Sequence, residues 1–573
     1  MRTKILILTV LIAILFRFVD LGKNPPSLNW DEVAIGWNAY SVLQTGKDEF
    51  GISLPLIFRS FDDYKSPAYI YATAASIFVF GKNEYAIRFS SALFGVLTVA
   101  LFYFFVKRIL ITKNTDTIWS NRIGNIALFA TCMLAISPWH IHFSRVAFEA
   151  NMALFFEIVG TLLFLRWIDK GKLRTLLISI TAFTIASYAY TSARVLVVLI
   201  LIGITAYYYK EILSLKKQLI VGVIFGLILC MPLILQMYQG VGLARYNATT
   251  ILGREKMEIF ERNKAQAKED YDFGNGWLSS KVHNFRIPIV QNVVNNYLSH
   301  YNYGFLFYIA DLPRHQVPGF GLLYLWQMPL MIAGAVFLIK NRKYLNAQLS
   351  LWWLFLAPIP AAITWQVPHS IRALLLLPIF SILSGIGLWV FLKYIQKQDL
   401  KAYTRPTAVS RPKKVVAFSQ WLLPKTYFLL ILICIFTSAI QLAIAYSTYL
   451  PAEFSANWLY GRKEMVASVE DKKEKFDHVI VSLSLDWSYL WFLWYGGYSP
   501  QWYLDKGGTV SGGFMETQNT VGKIEFHNFE FEKQKLIPNS LMVGSPSDFP
   551  RGFVPDEKIL DLSGKPIIYI VKS

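Results

Sequence analysis

Two adjacent carboxylates, Asp31 and Glu32, follow the first apolar segment in a stretch that reads Pro25-Pro26-Ser27-Leu28-Asn29-Trp30-Asp31-Glu32. At the edge of a membrane such a pair suits general-base work, because each negative charge raises the proton affinity of the other. Asp31, at the end of an extended run, is equally suited to capping the helix that follows. The same loop closes on Asp62, Asp63 and Lys65, which brings a phosphate-binding cation to the surface that carries the acids. Further along, Pro138-Trp139-His140-Ile141-His142-Phe143-Ser144-Arg145 packs two imidazoles and a guanidinium into one turn. His140 and His142 form a metal pair if the stretch is extended, or anchor an interfacial turn beside Trp139 if it is not. Arg145 is a fixed cation fitted to phosphate oxygens. Arg314 and His315 follow Pro313, and His369 and Arg372 follow Pro368. Read plainly, these two turns are rigid helix entries; read functionally, they bring Arg and His to a common face.

These side chains need a membrane frame to hold them. The chain has 573 residues, 54% of them hydrophobic, and a mean hydropathy of +0.39, too apolar and too long for one soluble core. Eleven apolar segments are candidate spans: 5–22, 85–106, 124–137, 147–168, 174–189, 194–209, 218–238, 320–339, 347–365, 371–394 and 427–447. The apolar piece from Pro67 to Phe80 is short for a span and reads as re-entrant or interfacial. No small-residue cleavage site follows the first apolar run, which therefore reads as a retained helix. Lysines and arginines gather in alternate loops (Lys107 to Arg122, Lys170 to Arg174, Lys210 to Lys217, Lys340 to Lys343, and the polar, basic linker 396–425), which predicts those loops on the cytoplasmic side. The N-terminus is then cytoplasmic and the C-terminal region extracytoplasmic. The net charge of +19 is thus a topology signal and not a nucleic-acid footprint. Cys132, Cys230 and Cys434 lie far apart in apolar segments, as buried thiols do.

On this path a membrane domain covers residues 1–446, with a first external loop over 23–66 and a long external loop over 239–319. Val33, Trp37, Tyr40 and Leu43 predict an amphipathic helix in the interface, fixing the acidic pair. Residues 447–573 read as a small external α/β domain, with strands over 478–483 and 566–571 and an aromatic helix over 489–495.

The acidic pair in the first loop, the Phe58–Pro67 stretch, Ser144-Arg145, Pro313-Arg314-His315 and Pro368-His369-Ser370-Ile371-Arg372 together resemble the C-type membrane glycosyltransferases. The resemblance is to the superfamily of dolichyl-phosphate-mannose-protein mannosyltransferases and aminoarabinose transferases, over roughly residues 1–395. It implies a polyprenyl-phosphate sugar donor, an external active site, inversion at the anomeric carbon, and Asp31 as the base. It also implies that Lys65 holds the lipid phosphate, as a lysine does in the aminoarabinose branch. Tyr64 stands where that branch carries a glutamate, which leaves the metal site of that branch without its carboxylate, with Asp63 as the neighbouring acid. The expected site is therefore Asp31 with Glu32, a phosphate set of Lys65, Arg145 and Arg372, and supporting residues Asp62, Asp63, His140, His142, Arg314, His315 and His369. No cofactor is required, though a divalent metal is compatible with the set, and the partners are the lipid donor, a hydroxyl-bearing acceptor and the bilayer. A transporter or flippase for a lipid-linked or small solute is the alternative. It predicts charges near mid-span and paired repeats, whereas the charges here concentrate at one face and no repeat is visible.

Overall fold

The computed structural model describes residues 2–60, 63–238, 249–254, 256–277, 279, 283, 286–404, 413–510 and 520–573. A helix lies over each of the eleven apolar segments. Among the described residues, five helices are long and apolar enough to cross a membrane, and the bent pair Thr117–Ala135 with Pro138–Arg145 makes a sixth. The other apolar helices are shorter, and Pro67–Phe80, at 14 residues, rises only about 21 Å, less than a hydrocarbon core. One span shows what surrounds it. Only 11% of the apolar window in Lys216–Gln236 is covered by protein, and Ile220, Val223, Ile224, Leu227 and Ile228 face outward, a surface that only a bilayer satisfies.

Helix α1 (Arg2–Phe18) precedes the loop over 23–66, α2 (Trp30–Thr45) lies within it, and α3 (Pro67–Phe80) and α4 (Glu84–Leu110) follow it. Next come α5 (Thr117–Ala135), α6 (Pro138–Arg145) and α7 (Glu149–Lys170), with α4 packed against α5, α6 and α7 at the centre. Close approach relies on small residues at one crossing in particular. Between Gln327–Lys340 and Leu376–Thr404, a Cβ on Gly334 would lie 2.0 Å from Leu383 O and one on Gly387 1.9 Å from Leu330 O, so the backbones touch where no side chain fits. The linker expected over 396–425 is helical for most of its length, since these helices run to Thr404 and resume at Lys413, while 405–412 lies outside the described residues.

Helix α2 departs from the expected interfacial helix. Glu32 to Ala39 are buried without a break, so α2 has no exposed polar face. One side meets α3 and α4, and the other meets the helices Ser488–Tyr495 and Pro500–Asp505 of the C-terminal domain. Trp37 is fully buried and its ring lies 6.0 Å from that of Tyr503. The strands that close the loop, β1 (Phe58–Ser60) and β2 (Asp63–Lys65), pair antiparallel with Phe58 opposite Lys65.

The C-terminal domain holds a six-stranded sheet in which β3 (His478–Ser482), β4 (Thr520–Val521), β5 (Ile524–His527), β6 (Ser540–Gly544), β7 (Glu557–Leu560) and β8 (Pro566–Lys572) take the order β4-β5-β3-β6-β8-β7. Central β3 runs parallel to β5 and β6, the other pairs being antiparallel. Central burial on both faces explains the apolar run in Val479, Ile480 and Val481. The domain is tied to the first loop through Glu49, a buried carboxylate that accepts hydrogen bonds from Asn38 Nδ2 (2.8 Å), Tyr489 Oη (2.9 Å) and Thr509 Oγ1 (2.8 Å). Burial pushes Glu49 up to about 6 in spite of those donors.

Candidate active site

The local sequence decides where the two acids point. Asn29, not Asp31, caps α2: its Oδ1 accepts from Glu32 N (3.0 Å) while Glu32 Oε2 accepts from Asn29 N (3.1 Å), a capping box. Asp31 is thus the second helical residue, in the first turn where a negative charge meets the positive end of the helix. Glu32, one residue on, points into the protein. Arg88 of α4 donates to both its oxygens, Nε to Oε1 at 2.8 Å and Nη2 to Oε2 at 3.1 Å, and Ala147 N donates to Oε1 at 3.1 Å. The same guanidinium donates to the carbonyls of Leu21 (3.2 Å), Pro25 (2.9 Å) and Ser27 (2.6 Å). Glu32 and Arg88 are fully buried, so this pair ties the loop preceding α2 to α4 and leaves Glu32 no solvent face.

Asp31 keeps 35% of its side chain exposed and accepts from Lys65 Nζ at the end of β2. Arg314 is the next cation. Its guanidinium carbon stacks 3.9 Å above the Trp30 ring, and its charge acts on Asp31 together with that of His315. Withdrawal from water pushes the Asp31 carboxyl up, but Lys65, then Arg314 and His315, hold it below the usual carboxylate value. Glu32 therefore does not raise Asp31 as adjacency suggested, because Arg88 neutralises it inside the fold. Trp30 also meets Trp487 edge-on, ring centroids 5.4 Å apart, so the C-terminal domain supplies one wall. Asp486 and Trp487 hold left-handed backbone (φ +49° and +36°), unusual for residues with side chains, and the Asp486 charge acts on Arg314. At the other side Arg194 Nη2 donates to Ser66 Oγ at 3.4 Å, which places the start of the helix Thr191–Tyr207 next to Lys65.

Residues 64–235 match the family model described as dolichyl-phosphate-mannose-protein mannosyltransferase. Among solved structures, ArnT from Cupriavidus metallidurans bound to undecaprenyl phosphate is 13% identical with a TM-score of 0.52, over 98% of this chain and 97% of that one. The apo state of the same protein is 13% identical with a TM-score of 0.50, over 99% and 98%. The archaeal oligosaccharyltransferase AglB from Archaeoglobus fulgidus, in complex with an inhibitory peptide and a dolichol-phosphate, is 12% identical with a TM-score of 0.50, over 86% of this chain and 63% of that one. No curated protein matches the chain by sequence. The chain shares its fold with these membrane transferases, and residues 64–235 carry the family match.

Within this shared fold the remaining expected residues divide. Arg145 lies away from the pocket side chains: it is buried, Nη1 donates to Phe16 O and Nη2 to Asn24 O (both 2.9 Å), and its plane covers the Tyr446 ring at 4.8 Å. It joins α1 and the first loop to α6, and both carbonyls already occupy the nitrogens expected to meet phosphate. His140 and His142 do not form a metal pair, because Pro138–Arg145 is helical and residues two apart diverge by about 200°. His140 Nδ1 accepts from Arg17 Nη2 at 2.7 Å, whereas His142 bridges Tyr446 Oη (2.9 Å) and Arg314 O (2.8 Å). His142 thereby fixes the turn that carries Arg314. Arg372 donates to Thr364 Oγ1 (2.7 Å) and Trp365 O (2.8 Å), bracing the turn before Leu376–Thr404. His315 and His369 lie together with rings 5.3 Å apart. Asp62 lies outside the described residues, and Asp63 is placed as backbone in β2 opposite Ser60.

Sequence reasoning passed over Trp30, Arg88, Asp311 and Trp487. Arg88 carried a signal, a lone arginine in the first turns of an apolar span, which calls for a buried acid partner. Asp311 sits four residues before His315, helical spacing for a pair. Trp487 carried none, since it reaches the pocket only through the tertiary docking of the C-terminal domain.

Proposed function

We propose that the chain is an inverting glycosyltransferase that moves a sugar from a polyprenyl-phosphate carrier to a hydroxyl acceptor at the extracytoplasmic face of a membrane. The observation that carries this reading is the convergence of Lys65 and Arg314 on the partly exposed carboxylate of Asp31, where the first loop meets the C-terminal domain. The donor class draws support from the undecaprenyl phosphate bound to ArnT and the dolichol-phosphate bound to AglB. In the proposed reaction the acceptor oxygen attacks the anomeric carbon as the bond from that carbon to the phosphate oxygen breaks. The acceptor proton passes to Asp31, and the polyprenyl phosphate leaves with the bonding electron pair. Negative charge grows on the phosphate, where Lys65 and Arg314 offset it. Before donor arrives, Lys65 pairs with Asp31; the phosphate draws the ammonium toward itself and leaves Asp31 an ionised, unpaired base. Trp30 and Trp487 offer an apolar wall for a sugar ring.

Glu32 acts in this scheme through Arg88 as a positioning residue. The wider topology goes with it: eleven crossings, the N-terminus cytoplasmic, and the domain from residue 447 outside, where it closes the pocket. The acceptor is a hydroxyl on a protein, lipid or glycan. Purified full-length protein in detergent, offered a panel of polyprenyl-phosphate sugars with hydroxyl acceptors, releases free polyprenyl phosphate from at least one donor, read by mass spectrometry. Absence of release across the panel by folded protein, with binding of intact lipid-linked sugar retained, would turn the reading toward a carrier of such lipids.

A further inference from the structure

Behind Arg314 a second group of side chains converges that the transfer chemistry does not use. Asp311, His315 and His369 each bring one ligand-type atom to within 4.8 Å of the others. Asp311 Oδ2 lies 2.7 Å from His315 Nδ1 and 3.6 Å from His369 Nδ1. We infer that these three residues form a binding site for one first-row divalent cation of the zinc class, which locks the Pro313–His315 turn to the Pro368–Ser370 turn.

Four observations carry this. The His369 side chain is 11% exposed, and its Nδ1 has no hydrogen-bond partner although it faces the Asp311 carboxylate. A hydrogen-bonded Asp–His pair explains His315 but leaves that buried nitrogen unsatisfied, whereas a cation between the three satisfies all of them. The separations also bracket what a metal needs, since donors at about 2.1 Å around a tetrahedral ion stand roughly 3.4 Å apart. Asp311 and the backbone of His369 are held from behind. Ser370 Oγ donates to Asp311 Oδ1 (2.5 Å) and Ser370 N to Oδ2 (3.3 Å), while His369 N donates to His300 Nε2 (3.2 Å), a ring held through its Nδ1 on Asn296 O (2.8 Å). Supports of this kind are what metal ligands require to keep their aim. Finally, the donor set chooses the ion: two imidazoles and one carboxylate favour first-row transition ions over magnesium or calcium, which prefer all-oxygen sites. Three protein ligands leave a fourth position open.

His315 adjoins Arg314, whose guanidinium stacks on Trp30 beside Asp31, so the ion would stand next to the acid without replacing Lys65. The inference holds whether or not the chain transfers sugar, because it concerns binding alone. Zinc is the suitable probe, since it outranks manganese, iron(II) and cobalt in affinity for one site. Full-length protein stripped with chelator, desalted and titrated with zinc against a competing fluorescent chelator binds one equivalent. His369→Ala loses that binding. Ser370→Ala, which only loosens the carboxylate, weakens it about ten- to hundredfold. Cobalt loaded in place of zinc gives visible d–d absorption in the parent and not in His315→Gln, which tests the same site should Asp311 or His369 variants fold poorly. A parent protein that binds no zinc, or a His369→Ala protein that binds it as tightly as the parent, overturns the inference and leaves Asp311 as a hydrogen-bonding anchor only.

Discussion

Asp31 and Glu32 leave the same turn of α2 and enter opposite environments, and the contrast separates chemistry from architecture at this site. Glu32 meets a guanidinium that is itself saturated by backbone carbonyls, with both partners fully buried. Asp31 meets a flexible lysine on a strand edge and keeps a third of its surface open. A buried bidentate pair with every lone pair taken is rigid, and disturbing it leaves an uncompensated charge. A half-open pair with a lysine can exchange partners when an anion arrives. On the proposed reaction, one dipeptide supplies both the anchor of the site and its base.

Substitutions should split along that line. The largest effect is expected from Asp31→Asn, which keeps size but removes the base: turnover falls by about two to four orders of magnitude while donor binding, measured by lipid-phosphate exchange, is retained. Equal loss of donor binding would make Asp31 a structural residue like its neighbour. Arg88→Met strands the Glu32 charge and should lower unfolding stability by about 3–5 kcal/mol, read as a shifted thermal transition in detergent. Asp31→Asn should hardly move that transition, and if it moves as far, the proposed division between the two acids is wrong.

Lys65→Met comes next, weakening donor affinity about ten- to hundredfold, as expected when one charge-assisted contact is lost. It should also move a pH limb. Lys65 helps hold Asp31 below the usual carboxylate value, so the parent keeps its base ionised and loses kcat/KM only as pH falls through that depressed value. In Lys65→Met the acid limb shifts upward. Arg145→Lys, acting on carbonyls away from the pocket, should leave that limb in place.

The smallest effect is at Glu49. Its carboxyl is raised to about 6 in the folded chain, so its contribution to docking the C-terminal domain is full below the usual value near 4.5 and is lost as pH rises through about 6. Glu49→Gln should remove this dependence and stabilise the protein at pH 7.5 by at most about 2 kcal/mol, seen as thermal transitions that converge with the parent at low pH. A parent transition that does not weaken between pH 5 and 7.5 would show that Glu49 is not buried as described.

Periodicity and apolar length made the helices legible, because a bilayer imposes one requirement on every span and the segments over 85–106 and 147–168 read as such without tertiary knowledge. Strand β3, terminal β8 and the helix at Ser488–Tyr495 were also readable from their apolar runs. The edge strands β4 and β7 were not, being short and polar enough to resemble loops. Helix α2 misled for a physical reason: its apolar spacing suits an interface, but the sequence alone does not show that a second domain covers its other face. Within the site, Asp31, Lys65, Arg314, His315 and His369 were legible as polar residues gathered in the turns between apolar segments. The direction of each side chain was not. Whether Arg145 meets a phosphate or two carbonyls depends on where Phe16 and Asn24 end up, and no local pattern encodes that.

The contacts of Glu49 also impose an order in time. Two of its three donors, Tyr489 and Thr509, stand 440 and 460 positions downstream. While the ribosome is still making the intervening spans, the first loop has its acids, its lysine and its capping box, but no back wall and no Trp487. The site therefore matures last, when nearly the whole polypeptide has been delivered, and a chain that stops short of residue 489 would leave Glu49 without two of its three donors.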